Sequence, residues 1–171
     1  MVFGKMYFRL YDPNHDTVVN KYNESDWNHI FYGMTEDDVR DLCGCINVII
    51  LLWCDIKSNT PRGMLYIEES HSAPNEVVIH GGTWDHNPKY FVPIFHSFTS
   101  IFIYLLCFET VIKTTCGIRN DRADKFQKSL GFEETNRDEL IKYKTLNKDK
   151  FFNSSFVQRL IINNNILKVK D

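Results

Sequence analysis

Few residues in this chain combine a reactive type with a telling position. His80 ends the apolar run Val77-Val78-Ile79 and is followed by Gly81 and Gly82. An imidazole is neutral near pH 7 and can take up a proton there, so His80 is a candidate general base, and equally a half-buried histidine bonded to backbone. Glu68 and Glu69, at the end of the preceding apolar run, are alternate bases that would act through a water. His86 reads as a loop residue. None of the five cysteines, Cys43, Cys45, Cys54, Cys107 and Cys116, stands beside a group that would activate a thiolate, which argues against a cysteine nucleophile. Cys43 and Cys45 have one residue between them and no second pair nearby, so four converging zinc ligands are not expected and no metal site is assigned.

Composition and patterning indicate the scaffold that holds these residues. With 171 residues, one domain is expected. Hydrophobic residues at 43% and charged residues at 25% specify a folded globular chain. The net charge of −2 and the absence of a long basic run argue against nucleic acid as partner. No apolar run of signal length opens the chain, and the odd number of cysteines then reads as reduced thiols in a cytoplasmic setting.

Residues 5–11 form a first strand with Met6, Phe8 and Leu10 on one face, closed by the turn Asp12-Pro13-Asn14. Two helices are expected within 20–41. Ser25 or Asp26 caps the first, which carries Trp27, Ile30 and Phe31. Thr35-Glu36-Asp37-Asp38 starts the second, which buries Val39 and Leu42 and stops at Gly44. Residues 46–56, 63–69 and 76–84 read as three strands with short polar connections, an antiparallel meander, the first buried on both faces. Within 88–108, the run from Tyr90 to Phe108 is apolar enough to raise a membrane helix. His96, Ser97, Thr99 and Ser100 interrupt the run, however, and Phe91, Phe95, Phe98, Phe102 and Leu105 recur at helical spacing. A helix buried on the sheet is the better reading, with Asn87 as cap and Pro88 as first residue. A β-branched strand at 110–118, a last strand at 139–146 and a terminal helix at 147–162 complete the order. Phe152, Phe156 and Leu160 lie on one face of that helix, and a short apolar tail follows at 166–169.

Between those last two strands lies the most organised stretch, 120–132. Ala123, Phe126 and Leu130 share one helical face, Asn120 or Asp121 caps its start, and Gly131 ends it before Phe132. Asn120, Ala123, Phe126, Leu130, Gly131 and Phe132 together resemble the C-terminal motif of the GNAT acyltransferase superfamily. The order strand, helices, three strands, long helix, strand, helix, strand is similar to that of the superfamily over about residues 5–146.

The resemblance implies an α+β fold, a sandwich-like central sheet of about six to seven mostly antiparallel strands flanked by helices. It implies a domain over 1–146 and a C-terminal extension, 147–171, packed on it or on a partner. It also implies transfer of an acyl group from acetyl-CoA or another acyl-CoA to an unidentified amine, carried by a small molecule or a protein. Two strands, ending near Gly82 and beginning near Val111, would part to receive the cofactor. Ile79, Gly81 and Gly82 would line its arm, although the glycines equally suit a bulge. Asn87 and Lys89 would hold its pyrophosphate at a helix start, and Asn120, Arg122 and Phe126 would complete the cofactor site. His80 would be the base, with Glu68 as alternate. Gln127 occupies the position, seven after the motif Asn, where many members carry the tyrosine that protonates the leaving thiolate. Its amide donates a hydrogen bond but no proton.

The usual glycine-containing phosphate loop is replaced by Thr83-Trp84-Asp85-His86-Asn87-Pro88-Lys89-Tyr90, which has no glycine. Asp85 opposes an anion there. These departures support an alternative: the same fold without catalysis, a phage-like structural or interaction part of a larger assembly, within a virion, joined through its C-terminal segment. No membrane partner is expected.

Overall fold

A computed structural model of the protein describes residues 2–3, 6–18, 21, 33–70, 73–84 and 87–164. The expected helix near Ser25, the loop residues Asp85 and His86, and the tail at 166–169 lie outside the described residues.

The described strands are β1 (Val2–Phe3), β2 (Met6–Leu10), β3 (Val48–Asp55), β4 (Pro61–Glu69), β5 (Glu76–Thr83), β6 (Val111–Gly117), β7 (Phe132–Arg137) and β8 (Ile141–Leu146). The helices are α1 (Glu36–Leu42), α2 (Phe91–Leu106), α3 (Asp121–Ser129), α4 (Lys148–Asn153) and α5 (Ser155–Asn164). All eight strands form one sheet in the order β1-β2-β3-β4-β5-β6-β8-β7. Every pairing is antiparallel except β5 with β6, which is parallel. The architecture is α+β, with a mostly antiparallel sheet flanked by helices.

The strand count exceeds the expected six to seven for two local reasons. β1 adds a two-residue ladder to β2. The segment after the motif is a hairpin, turned at Asp138, whose carboxylate accepts from the backbone N–H groups of Leu140 at 2.8 Å and Ile141 at 2.7 Å. Asx turns of this kind substitute for a backbone turn. The terminal helix is likewise two helices, because Ser154 takes an extended conformation between α4 and α5.

Side chains alternate across the strands, and each face meets its own cover. On one face Leu65, Ile67, Val77, Ile79 and Ile112 meet Ile101, Phe102 and Leu106 of α2, and Phe151 of α4 and Val157 of α5 are buried in the same cluster. On the other, Val48, Ile50, Leu52, Met64 and Tyr66 meet Val39 of α1 and the 11–18 segment. Thr35 caps α1 reciprocally. Its hydroxyl accepts from Asp38 N–H at 3.2 Å, and its own N–H donates to the Asp38 carboxylate at 2.6 Å.

Candidate functional site at a parting of strands

β5 and β6 share a parallel ladder only at Glu76–Val111, Val77–Ile112 and Val78–Lys113. Beyond it β5 continues to Thr83, paired on its outer side with β4, while β6 continues to Gly117, paired on its outer side with β8. The inner edges of Ile79 to Thr83 and of Thr114 to Gly117 therefore face each other without a shared ladder. Because the two strands are parallel, α2 and α3, which follow them, both start from the edge where the strands part.

Side chains cross or border this parting. The Thr114 hydroxyl donates to the Ile79 carbonyl at 2.7 Å. The Gln127 amide nitrogen donates to the Thr115 carbonyl at 2.9 Å and lies 3.4 Å from the Thr114 hydroxyl. On the α1 face the Thr115 hydroxyl stands 3.3 Å from His80 Nδ1. Tyr66 is paired directly with His80 across β4 and β5, its ring 5.9 Å from the imidazole, and its hydroxyl donates to Glu68 at 3.1 Å. His80, Glu68 and Gln127 are thus collected around one strand junction, with Gln127 on the opposite face of the sheet from the other two. His80 is 5% exposed, and burial pushes its pKa down to about 4, so it is neutral at physiological pH. A Cβ added at Gly81 would lie 2.4 Å from the Met64 carbonyl oxygen, so the close approach of β4 requires glycine there.

The start of α2 differs from the expected one. Asn87 does not cap the α-helix. Its side chain accepts from Lys89 N–H at 3.1 Å and its carbonyl from Tyr90 N–H at 3.0 Å, which makes Pro88–Tyr90 a 3₁₀ turn. α2 then begins at Phe91 with no side-chain cap. The ring of Tyr90 carries Lys89 Nζ 4.6 Å from its centroid and the Arg62 guanidinium 5.5 Å away. Two cations thus stand at a helix start whose first N–H groups have no partner within the helix. Pro93 removes one such N–H from that turn.

The start of α3 is closed instead. The Asn120 side chain accepts from Ala123 N–H at 3.0 Å. Phe126 packs edge-on against Phe98 of α2 with ring centroids 5.7 Å apart, and Arg122 is exposed. Asp124 is buried and paired with Lys128 at 2.8 Å, with Lys142 at 3.4 Å and with the fully buried Lys144. Hydrogen bonds from Lys128 and Lys144 hold its carboxyl well below the usual range. Trp84, just after β5, turns its indole N–H to the Pro61 carbonyl at 3.1 Å and packs into the cluster under α1.

No family model matches the sequence, and no curated protein does. Solved structures do match. An uncharacterised protein from Bacillus halodurans superposes with a TM-score of 0.71 at 10% identity, covering 92% of this chain and 91% of its own. An acetyltransferase of the GNAT family from Bacillus anthracis gives 0.65 at 13% identity, over 86% of this chain and 98% of that one. A spermidine N-acetyltransferase from Vibrio cholerae, solved with CoA and spermine, gives 0.64 at 11% identity, over 87% and 99%. The chain has the GNAT fold.

Within that fold the parted pair β5 and β6, the uncapped start of α2 and the motif helix α3 stand together, and most of the sequence-derived residues lie along them. Ile79, Gly81, Gly82 and His80 are on β5, Asn87 and Lys89 before α2, and Asn120, Arg122, Phe126 and Gln127 at or on α3. Sequence reasoning missed Thr114, Thr115, Arg62 and Tyr90. It also missed the lysine pair that clamps Asp124, although Lys142-Tyr143-Lys144 places both lysines on one face of a strand. Nothing in the local pattern marks Arg62, since only the pairing of β4 with β5 brings it near Tyr90.

Proposed function

We propose that the protein is an acyl-CoA-dependent N-acyltransferase acting on an amine. The observation that carries this reading is the parting of β5 from β6 beside an uncapped helix start flanked by Lys89 and Arg62. The inner edge of β5 beyond the end of its ladder with β6 suits an extended amide-bearing arm, and the α2 start with its two cations suits a pyrophosphate. When bound, the acyl-CoA supplies the activated carbonyl carbon.

The chain's own residues then have limited tasks. The amine nitrogen bonds to that carbon, the C–S bond breaks, and the amine's proton passes to His80 or, through a water, to Glu68. His80 is neutral and can accept it, but a pKa near 4 makes it a weak base. Gln127 holds β6 by its carbonyl and gives no proton. The leaving sulfur departs as a thiolate and takes its proton from water, which is feasible because thiols titrate at about 8.5. Lys89 and Arg62 hold charge rather than transfer protons.

Thermal unfolding with and without millimolar acetyl-CoA tests the reading, followed by a thiol-release assay against a panel of amines. A rise in melting temperature that saturates with acetyl-CoA is the expected result, and no rise counts against it.

A second reading has its own support. The buried His80, the amide at Gln127 and the glycine-free loop describe a GNAT fold without efficient proton transfer, used as an interaction part of a larger assembly. Saturable acetyl-CoA binding without thiol release from any amine, together with self-association in sedimentation that is lost when the C-terminal segment is altered, would favour it.

A further inference from the structure

The parting of β5 and β6 is not left bare. Where the ladder stops after Val78, the next carbonyl on β5, that of Ile79, is taken by a side chain, the Thr114 hydroxyl at 2.7 Å. Thr114 is itself buried, and its oxygen lies 3.4 Å from the Gln127 amide nitrogen, which at the same time donates to the Thr115 carbonyl at 2.9 Å. A threonine hydroxyl can receive from one neighbour and donate to another in this way. A β-branched residue also suits the strand. Gln127 Oε1 remains a buried acceptor with no partner among the described residues. The cluster is therefore satisfied at the Ile79 carbonyl and short of one donor at Gln127.

We infer that Thr114 is an internal competitor for the arm of the cofactor: its hydroxyl holds the Ile79 carbonyl on the side facing the parting in the unliganded protein, and a ligand amide N–H entering the parting displaces it. This rests on the reading of the parting as an acyl-CoA site. Two consequences follow from the hydrogen bonds. Binding exchanges one hydrogen bond for another instead of adding one, so affinity is lower than the bare strand would give. The Thr114 hydroxyl, once displaced, needs a new acceptor, and the unpartnered Gln127 Oε1 is the neighbouring group able to serve. Gln127 then acts on the cofactor through Thr114, as a positioning residue rather than a proton donor.

The decisive variant is Thr114→Val, which keeps shape and strand preference and removes the hydroxyl. Thr114→Ser, which keeps the hydroxyl, is the control. Calorimetric titration with CoA is expected to show T114V binding about tenfold more tightly than wild type, the scale of one net hydrogen bond, and T114S binding as wild type. Unliganded T114V should melt lower than wild type and gain more from CoA. A purely structural role for Thr114 lowers both states equally and leaves affinity unchanged, and that result overturns the inference. If neither protein binds CoA at millimolar concentration, the proposed function fails on its own, and amide hydrogen exchange without ligand decides the remainder. Faster exchange in T114V confined to residues 79–83 and 114–117 upholds the side-chain stitch, and unchanged exchange there overturns it. Should T114V not fold, Gln127→Met, which removes the donor to Thr115 and the acceptor for Thr114, is expected to accelerate exchange over the same residues, and its failure to do so has the same force.

Discussion

The two helix starts beside the parted strands are built in opposite ways. α3 opens under its own Asn120, and one turn later Asp124 is gripped by three lysines. α2 opens without a side-chain cap, behind a 3₁₀ turn, with two cations gathered on Tyr90. Helix ends need partners for their free N–H groups. α3 supplies one from its own sequence and is closed to an outside anion at that position. α2 has no side-chain cap at its first turn, and Lys89 and Arg62 lie on the ring of Tyr90 beside it. On the proposed function, stability belongs to one end and binding to the other.

The largest expected effect comes from breaking the closed end. Asp124→Ala leaves Lys144 buried beside Lys142 with no counter-charge, and removing one partner of such a pair costs about 3–5 kcal/mol. Urea unfolding should show a loss of that order, and a loss under about 1 kcal/mol would mean that Lys144 escapes to solvent. Next is the pH dependence at the junction itself. His80 binds its proton near pH 4 when folded and near 6.5 when unfolded. The unfolded chain therefore binds more protons between these values, and stability falls as pH drops from 6.5 towards 4, by up to about 3 kcal/mol. Burial lowers the pKa of His96 as well, so it adds to the same slope. Replacing His80 by Gln should flatten the part of the curve that belongs to it, and an unchanged slope would move the effect to His96. Smaller changes separate the two helix ends directly. Asn120→Ala is expected to cost about 1 kcal/mol of stability through the lost cap without altering CoA affinity. Lys89→Ala is expected to leave stability within about 0.5 kcal/mol and weaken CoA binding about twofold to fivefold. If the two variants exchange these behaviours, the division between the ends is wrong.

What could be read from sequence tracks how local the cause is. The cap at Thr35, the cap at Asn120 and the glycine after Leu130 each act within four residues, and each is found where its residue type indicates. Gly131 indeed adopts φ +94°, a conformation that side chains disfavour. The strands of the meander announced themselves by their apolar runs. The boundaries failed where two local signals competed. Asn87-Pro88 reads as a helix cap, but the Asn87 side chain and carbonyl both bond within a tighter turn, so the α-helix starts three residues later. Only 139–146 reads as a last strand, and the hairpin partner at Phe132–Arg137 is missed because the Asp138 turn lies within a polar stretch. The stitch at Thr114 could not be read at all. It depends on β6 lying beside β5 for three residues and then departing, a property of the sheet and not of any segment. The clamp on Asp124 has the same origin, since Lys142 and Lys144 arrive on β8 from across the sheet.

The glycine that ends α3 reaches further than its own turn. A Cβ there would lie 2.7 Å from the Phe151 backbone nitrogen and 3.0 Å from its Cα. Phe151 is fully buried and touches the ring of Phe102 at 6.2 Å between centroids. The exit of the motif helix and the entry of the C-terminal pair are thus seated against each other, main chain to main chain. Trimming the protein after β8 would unroof Phe102 and leave an oily hollow beside the end of α3. A shortened version should be sticky and poorly soluble on expression rather than a smaller working copy.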